Sequence, residues 1–277
     1  MSLRQAYLDW PHEVSIETFA KCNAACTFCP YPTLDRQGVR MPDAMIDRII
    51  DELKDHPQPF VIAPFKVNEP FLDKRLIPIC RKINDDLPNA FLRLFTNGSV
   101  LTLDNLAAVA SLNRVIHLWV SLNECDPARY EATMSLPFER TAGNLDTLHS
   151  MVEFGEFGHE VMVSRVAAHD GNDEFAAYVH RRWPLFKCHI IKRDSWLGHV
   201  EGGVDTIPQA PCGRWYELSI MATGKVSQCC MDSEGEFPIG DLNTQTLFEV
   251  YNGKEYRARR VERLNRQKVH PCDTCSY

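Results

Sequence analysis

The chain has 277 residues, 44% hydrophobic and 24% charged, which is ordinary for a globular protein and long enough for one large domain with a small appendage. Its formal net charge of −7 argues against a nucleic-acid surface, because phosphate contacts need a basic patch. No run of about 18 apolar residues is present, and the start "MSLRQAYLDWPHEVSIE" lacks a signal-peptide core, so no membrane partner and a cytoplasmic location are expected.

The first two thirds alternate strand-like and helix-like segments. Residues 13–19 predict a strand that runs into a cysteine-rich loop. Residues 43–55 carry Met45, Ile46, Ile49, Ile50 and Leu53 at helical spacing. Residues 60–67 predict a buried strand, and 72–85 a helix that Pro78, near its start, is placed to kink. A strand over 91–96 ends at the turn Asn97-Gly98, and a helix over 103–111 leads to a strand over 115–122. A helix at 140–155, a strand at 160–168, a helix at 173–183 and a sixth strand at 186–193 complete the series.

Such alternation implies βαβ units and a parallel sheet, which gathers ligands at the C-terminal ends of its strands. Six repeats are too few for a closed eight-unit barrel. The expected fold class is therefore α/β, a partial (β/α)6 TIM-like barrel over residues 1–195. Residues 196–211 are rich in Gly and Pro and read as a linker. Residues 212–277 read as a small α+β domain, with a hairpin turning at Thr223-Gly224 and a helix–turn–helix over 246–264. A domain that small gains from a metal staple.

Eleven cysteines in a chain without an export signal point to metal rather than to disulfides. Cys22, Cys26 and Cys29 are spaced C-x3-C-x2-C in "ETFAKCNAACTFCPYP", residues 17–32. Cys212, Cys229, Cys230, Cys272 and Cys275 form a second group. Cys80, Cys125 and Cys188 stand alone and read as packing residues. Three local thiolates cannot complete a four-coordinate site. Spacing leaves two candidates: an iron–sulfur cluster with one iron open to an exogenous ligand, or a zinc knuckle completed from elsewhere.

The triplet, placed after the first strand and with Phe28 directly before its last cysteine, resembles the signature of the radical S-adenosylmethionine (SAM) superfamily. The resemblance covers residues 13–195. It implies a [4Fe–4S] cluster on Cys22, Cys26 and Cys29, whose open iron is chelated by the amino and carboxylate groups of SAM. Val67-Asn68-Glu69-Pro70 stands where the family has a GGEP-type motif. Both glycines are absent, which weakens the backbone part of that contact and leaves the Glu69 carboxylate for the SAM ammonium. Thr96-Asn97-Gly98 resembles the family's turn after the third strand. "VSLNE" (120–124) resembles its SLD segment, which makes Ser121 and Asn123 candidates for the ribose or methionine part of SAM. The resemblance further puts Phe28 near the adenine and Arg165 opposite the SAM carboxylate.

The second group resembles the opening of the SPASM motif, C-x(9–15)-G-x4-C, through Cys212, Gly224 and Cys229. With Cys272 and Cys275 ending the chain, it is similar to the shortened version, the twitch domain. That implies one auxiliary [4Fe–4S] cluster on Cys212, Cys229, Cys272 and Cys275, with Cys230 as neighbour or as substitute ligand. Such a cluster has no open iron and suits electron transfer. The combination resembles the 2-deoxy-scyllo-inosamine dehydrogenase group. It implies a 5′-deoxyadenosyl radical that abstracts hydrogen from a small polar substrate (a sugar, cyclitol or nucleotide-sugar alcohol), with oxidation to a ketone through the auxiliary cluster. An external one-electron donor such as flavodoxin or ferredoxin is implied as a partner.

A base must take the hydroxyl proton, and Glu124, His169, Arg193 and Asp194 lie at strand ends. Cys125, at the mouth of the fourth strand, could instead return a hydrogen atom to the substrate radical, which would make the enzyme an epimerase. A peptide-modifying enzyme of the same group is a further alternative. Outside enzymes, the alternative is a zinc-binding module on an α/β scaffold.

Overall fold

A computed structural model describes residues 3–167, 174–202, 206–275 and 277. Six strands run parallel: β1 (Glu13–Ile16), β2 (Phe60–Ala63), β3 (Ala90–Thr96), β4 (Val115–Ser121), β5 (Glu160–Ala167) and β6 (Lys187–Lys192). Three more follow, β7 (Glu217–Ile220), β8 (Lys225–Ser227) and β9 (Pro238–Asp241). The sheet order is β6-β5-β4-β3-β2-β1-β7-β8-β9, the open partial barrel expected for the first six strands.

The helices are α1 (Leu3–Ala6), α2 (Asp43–Leu53), α3 (Leu76–Asp86), α4 (Leu103–Ala110), α5 (Pro127–Met134), α6 (Phe138–Glu153), α7 (Glu174–Arg182), α8 (Leu247–Tyr251) and α9 (Lys254–Val261). Helix α2 shows how they seat. Ile46, Ile49, Ile50 and Leu53 fall on one face and are buried against the sheet. Strands alternate to match. Leu92 and Leu94 of β3 and Leu118 and Val120 of β4 join the helices in the core. Phe95 and Trp119, on the opposite strand face, line the concave side of the barrel and are half-buried.

Two expectations change. Helix α3 starts at Leu76, so Pro78 sits in its first turn and does not kink it. A missing N–H there has no intrahelical partner to lose. Helix α5 lies in a stretch read as connection, although Asp126 caps it and Pro127 opens it.

The C-terminal segment is joined to the barrel rather than hung from it. Strand β7 pairs in parallel with β1, Glu13 opposite Glu217 and Ile16 opposite Ile220. The hairpin turns at Gly224, whose φ of +88 suits glycine. Trp215, Leu218, Ile220, Val226, Leu247 and Val250 belong to the same core cluster as Val14 and Ile62. Among the described residues, no helix is long and apolar enough to cross a membrane.

Candidate active site

Strand β1 delivers the chain into the loop that carries Cys22, Cys26 and Cys29. The loop is clamped from two sides. Helix α5 takes the Ala25 and Thr27 N–H groups on the Met134 and Thr133 carbonyls, at 3.2 and 2.9 Å. From the end of β6, Arg193 donates to the Thr27 carbonyl at 3.1 Å and Trp196 Nε1 to the Phe28 carbonyl at 3.0 Å. Few donors reach the sulfurs. Ala24 N–H lies 3.4 Å from Cys22 Sγ, and Asn97 Nδ2 lies 4.0 Å from it.

Burial pushes the Cys22 thiol up to about 11 and the Cys29 thiol up to about 12. Cys26 is raised further, by burial first and then by the charges of Cys29 and Cys22. Three half-buried thiols that oppose one another's ionisation fit a cationic centre among them. A single tetrahedral zinc with 2.3 Å bonds would hold its sulfurs about 3.8 Å apart. Among the described residues, the one trio of possible ligands lying mutually within 4.8 Å is His12, Glu13 and Glu217, not the cysteines. That trio sits at the opposite strand ends and already faces Arg93 and Arg214. The spread of the three sulfurs suits a multi-iron cluster better than one ion.

Glu69 follows β2, and its backbone N–H donates to the Lys21 carbonyl at 2.8 Å, which ties it to the cysteine loop. Its carboxylate is buried and receives three donors. Phe71 N–H and the Thr96 hydroxyl meet Oε1 at 3.1 and 2.9 Å, and Asn97 N–H meets Oε2 at 2.6 Å. Burial still pushes its pKa up to about 7 against these bonds. Next to it, Asn68 Nδ2 is buried with no acceptor among the described residues. An ionisable carboxylate and an orphaned amide, tied to the cysteine loop at Lys21, suit a ligand carrying both cationic and acceptor groups, as the methionine end of SAM does.

At the end of β4 the predicted residues meet, with altered roles. Asn123, at φ +68, spends its side chain internally. Its Nδ2 donates to Ser121 Oγ at 2.9 Å and contacts Met134 Sδ at 3.1 Å, and its Oδ1 accepts from Val166 N–H at 2.8 Å. It is a brace, and Ser121 keeps its own proton to donate. Arg165 shares its strand face with the core residues Val161 and Val163, and its Nη2 lies 3.6 Å from Glu124 Oε1. The carboxylate it faces is the chain's own. Arg129 flanks the other Glu124 oxygen at 3.7 Å. Cys125 is half-buried, and burial followed by the charge of Glu174 raises its thiol. Arg193 faces Thr27, as described above, and Asp194 Oδ1 accepts from Trp196 N–H at 3.3 Å. His169 lies outside the described residues.

Of the second cysteine set, Cys212, Cys272 and Cys275 come together. Burial raises the thiols of Cys272 and Cys275, and the charge of Cys212 adds to both. The Trp215 indole N–H works the other way at Cys272, yet it is buried and has no acceptor within bonding distance among the described residues. An orphaned donor beside a buried sulfur fits a metal-bound thiolate. Cys229 and Cys230 follow β8, and burial raises each.

Three features were not anticipated. Lys66, fully buried, reaches across from the end of β2. Its ammonium donates to Ser219 Oγ at 3.0 Å, Ser227 Oγ at 2.8 Å and the Asp232 carbonyl at 3.0 Å, with the Cys229 carbonyl at 3.5 Å. Glu17 and Arg36 form a buried bidentate pair at 2.7 and 2.9 Å, and Glu17 also accepts from Ala222 N–H. An aromatic row, Phe65 on Phe95 at 4.6 Å and Phe95 beside Trp119 at 5.5 Å, lines the concave face. The row had a signal in the alternation of residues 91–96. Lys66 had none, because its partners lie more than 150 residues away in the chain.

A family profile described as the Radical SAM superfamily matches residues 16–158. A second, SPASM, described as an iron–sulfur cluster-binding domain, matches residues 212–276. No curated protein matches the chain. Among solved structures, the chain is similar to BtrN in complex with AdoMet and 2-DOIA, with TM-score 0.67 and 15% identity over 96% of this chain and 93% of that one. It is similar to Streptococcus suis SuiB bound to precursor peptide SuiA, with TM-score 0.72 and 13% identity over 97% and 70%. Native anSMEcpe with bound AdoMet gives TM-score 0.66 and 13% identity over 95% and 86%.

Proposed function

The chain belongs to the radical SAM superfamily, and on that premise we propose that it is an oxidoreductase that converts a secondary alcohol of a sugar, cyclitol or nucleotide-sugar into a ketone. It is a radical SAM enzyme with a SPASM-type domain, and it binds SAM and [4Fe–4S] clusters. When bound, these groups supply a 5′-deoxyadenosyl radical for one hydrogen atom of the carbinol carbon and a cluster for the remaining electron, while the hydroxyl proton goes to a base.

We assign Cys22, Cys26 and Cys29 to the first cluster, and Cys212, Cys229, Cys272 and Cys275 to the second. Glu69 holds the amino group of SAM, and Ser121 donates towards its ribose or methionine part. Phe65, Phe95 and Trp119 offer flat apolar walls to the C–H face of a ring. Glu124, fixed between Arg165 and Arg129, accepts the proton. Arg193 is unsuited to that task because a guanidinium stays protonated. A flavodoxin or ferredoxin is the proposed source of the initiating electron.

The observation that carries this reading is the pairing of β7 with β1. It seats β7, which follows Cys212 and leads through β8 to Cys229, on the strand that feeds the first set, and so supports a second cluster close to the first. Four thiolates leave no open iron, so the second cluster suits electron acceptance. The match to BtrN over 93% of its chain, and the resemblance to 2-deoxy-scyllo-inosamine dehydrogenases, favour a small cyclitol-like substrate. Cys125 supports a second reading. Its half-buried thiol could return a hydrogen atom to the substrate radical, with the thiyl radical left behind reduced by one electron through the second cluster and a proton from solvent, which makes an epimerase.

The test is anaerobic reconstitution followed by turnover with sugars and cyclitols. One ketone per 5′-deoxyadenosine, with no solvent deuterium at carbon, is expected. Deuterium incorporation without ketone would move the assignment to epimerisation. Zinc in place of iron would sink the radical chemistry.

A further inference from the structure

Lys66 is a buried charge that the site described above does not explain. Its side chain is buried, at 2% exposure, and its four acceptors are two hydroxyls and two carbonyls, all neutral. Among the described residues, no carboxylate oxygen lies within the 4.0 Å of an ion pair with it. Glu17, the acid whose charge reaches it, is engaged elsewhere. It is held bidentately by Arg36. A buried ammonium with only neutral partners is expensive, so an anion is expected beside it.

The position says which anion. Two of the acceptors come from β7 and β8, and the other two are carbonyls of the segment that holds Cys229 and Asp232. A four-iron core carries fewer positive charges than its four thiolates carry negative ones, so an occupied cluster is a net anion. Resting on the assignment of Cys229 as a ligand, we propose that Lys66 is a redox-tuning residue of the second cluster, raising its midpoint potential so that it accepts the substrate's electron. Reduction adds one electron to the cluster. A fixed cation at its edge stabilises the reduced form more than the oxidised one, and net charge and hydrogen bonding are what set such potentials. Lys66 lies three residues before Glu69, so one short loop serves the SAM end with a carboxylate and the second cluster with an ammonium.

The test uses the full chain with Cys22→Ala/Cys26→Ala/Cys29→Ala, which leaves the second cluster as the sole signal. The midpoint is read by EPR-monitored redox titration in this parent, with Lys66→Met and with Lys66→Arg. Lys66→Met is expected to shift the one-electron equilibrium towards the oxidised form by tenfold or more, about 59 mV per decade. Lys66→Arg, which keeps the charge, is expected to stay near the parent. An equal midpoint in Lys66→Met with equal iron content would overturn the proposal. If Lys66→Met fails to load iron, Lys66→Gln, which keeps a donor for Ser227, makes the same comparison. Loading by Arg alone supports charge compensation, whereas failure of all three marks a packing role and overturns it. A parent that holds no iron refutes the ligand assignment itself, a result separate from any shift in potential.

Discussion

Replacing Glu69 by glutamine tests the proposed SAM pocket where its hydrogen bonds are best defined. The carboxylate takes Phe71 N–H and the Thr96 hydroxyl on Oε1 and Asn97 N–H on Oε2. A glutamine NH2 placed at Oε2 would face the Asn97 N–H, two donors head to head. Placed at Oε1 it faces Phe71 N–H, but the Thr96 hydroxyl can turn to accept. The second arrangement is the cheaper and forfeits one bond to a charged group, about 1.5–3 kcal/mol of stability. Losing the contact to the amino group of SAM costs a similar amount, which weakens binding about ten- to a hundredfold.

The pH dependence is sharper evidence. Burial raises Glu69 from an ordinary 4.5 to about 7 in the unliganded fold. Between those values the folded state keeps a proton that the unfolded chain has lost. Its stabilising contribution is therefore complete below 4.5 and is lost as the pH rises through 7. In the role proposed for Glu69, SAM needs the ionised form. A pKa of 7 makes that form about tenfold more abundant at pH 8 than at pH 6. Wild-type affinity, measured by anaerobic calorimetry on reconstituted protein, should rise about tenfold over that range, and Glu69→Gln should flatten the rise. A flat wild-type profile, or the same slope in the variant, would refute this role for Glu69.

Iron and sulfide per chain should fall from about eight to about four in Cys212→Ala, Cys229→Ala, Cys272→Ala or Cys275→Ala, and should hold in Cys230→Ala. Loss in Cys230→Ala with retention in Cys229→Ala would exchange the two. Arg36→Ala leaves Glu17 buried and unpaired, and urea unfolding should register a loss of about 3–5 kcal/mol. A double change to Glu17→Gln/Arg36→Met should recover most of it, since the costly element is the lone charge. Trp196→Phe removes the brace on the Phe28 carbonyl while keeping the ring. It should cost about 0.5–1.5 kcal/mol in the same assay, with slower loading of the first cluster.

The sequence was most informative where a signal is local. Six parallel strands followed from the alternation of apolar runs, and the hairpin from Thr223-Gly224. Glu69 was reached through the resemblance of residues 67–70 to a GGEP-type motif, but its three donors come from residues 71, 96 and 97 and could be seen only in the fold. Helix α5 was readable in Asp126-Pro127, a cap followed by a first-turn proline, with Tyr130 and Met134 one turn apart on its buried face. Strand β9 carries Pro238 and Gly240 and has no strand signature of its own. Pairing with β8 makes it a strand. Asn123 looked like a ligand because residues 120–124 resemble the family's SLD segment, and only its three contacts reveal the brace.

The residues that join the two cysteine sets share one physical property. Glu17, Arg36 and Lys66 are charged, almost wholly buried, and bonded across more than 150 positions of sequence to Ala222, Ser233, Ser219 and Ser227. Composition gives no warning of them, because a charged residue is ordinarily at the surface. Apolar packing alone could join β7 to β1, but it would tolerate small slips. Buried charges do not, since a displaced ammonium or carboxylate loses partners it cannot replace from water. The joint therefore fixes the register of Cys229 and Cys230 against the Glu69 loop. On the proposed function, that constraint suits transfer of a single electron between a bound substrate and the second cluster, and it gives the costly groups a reason to stand where leucines would also fold.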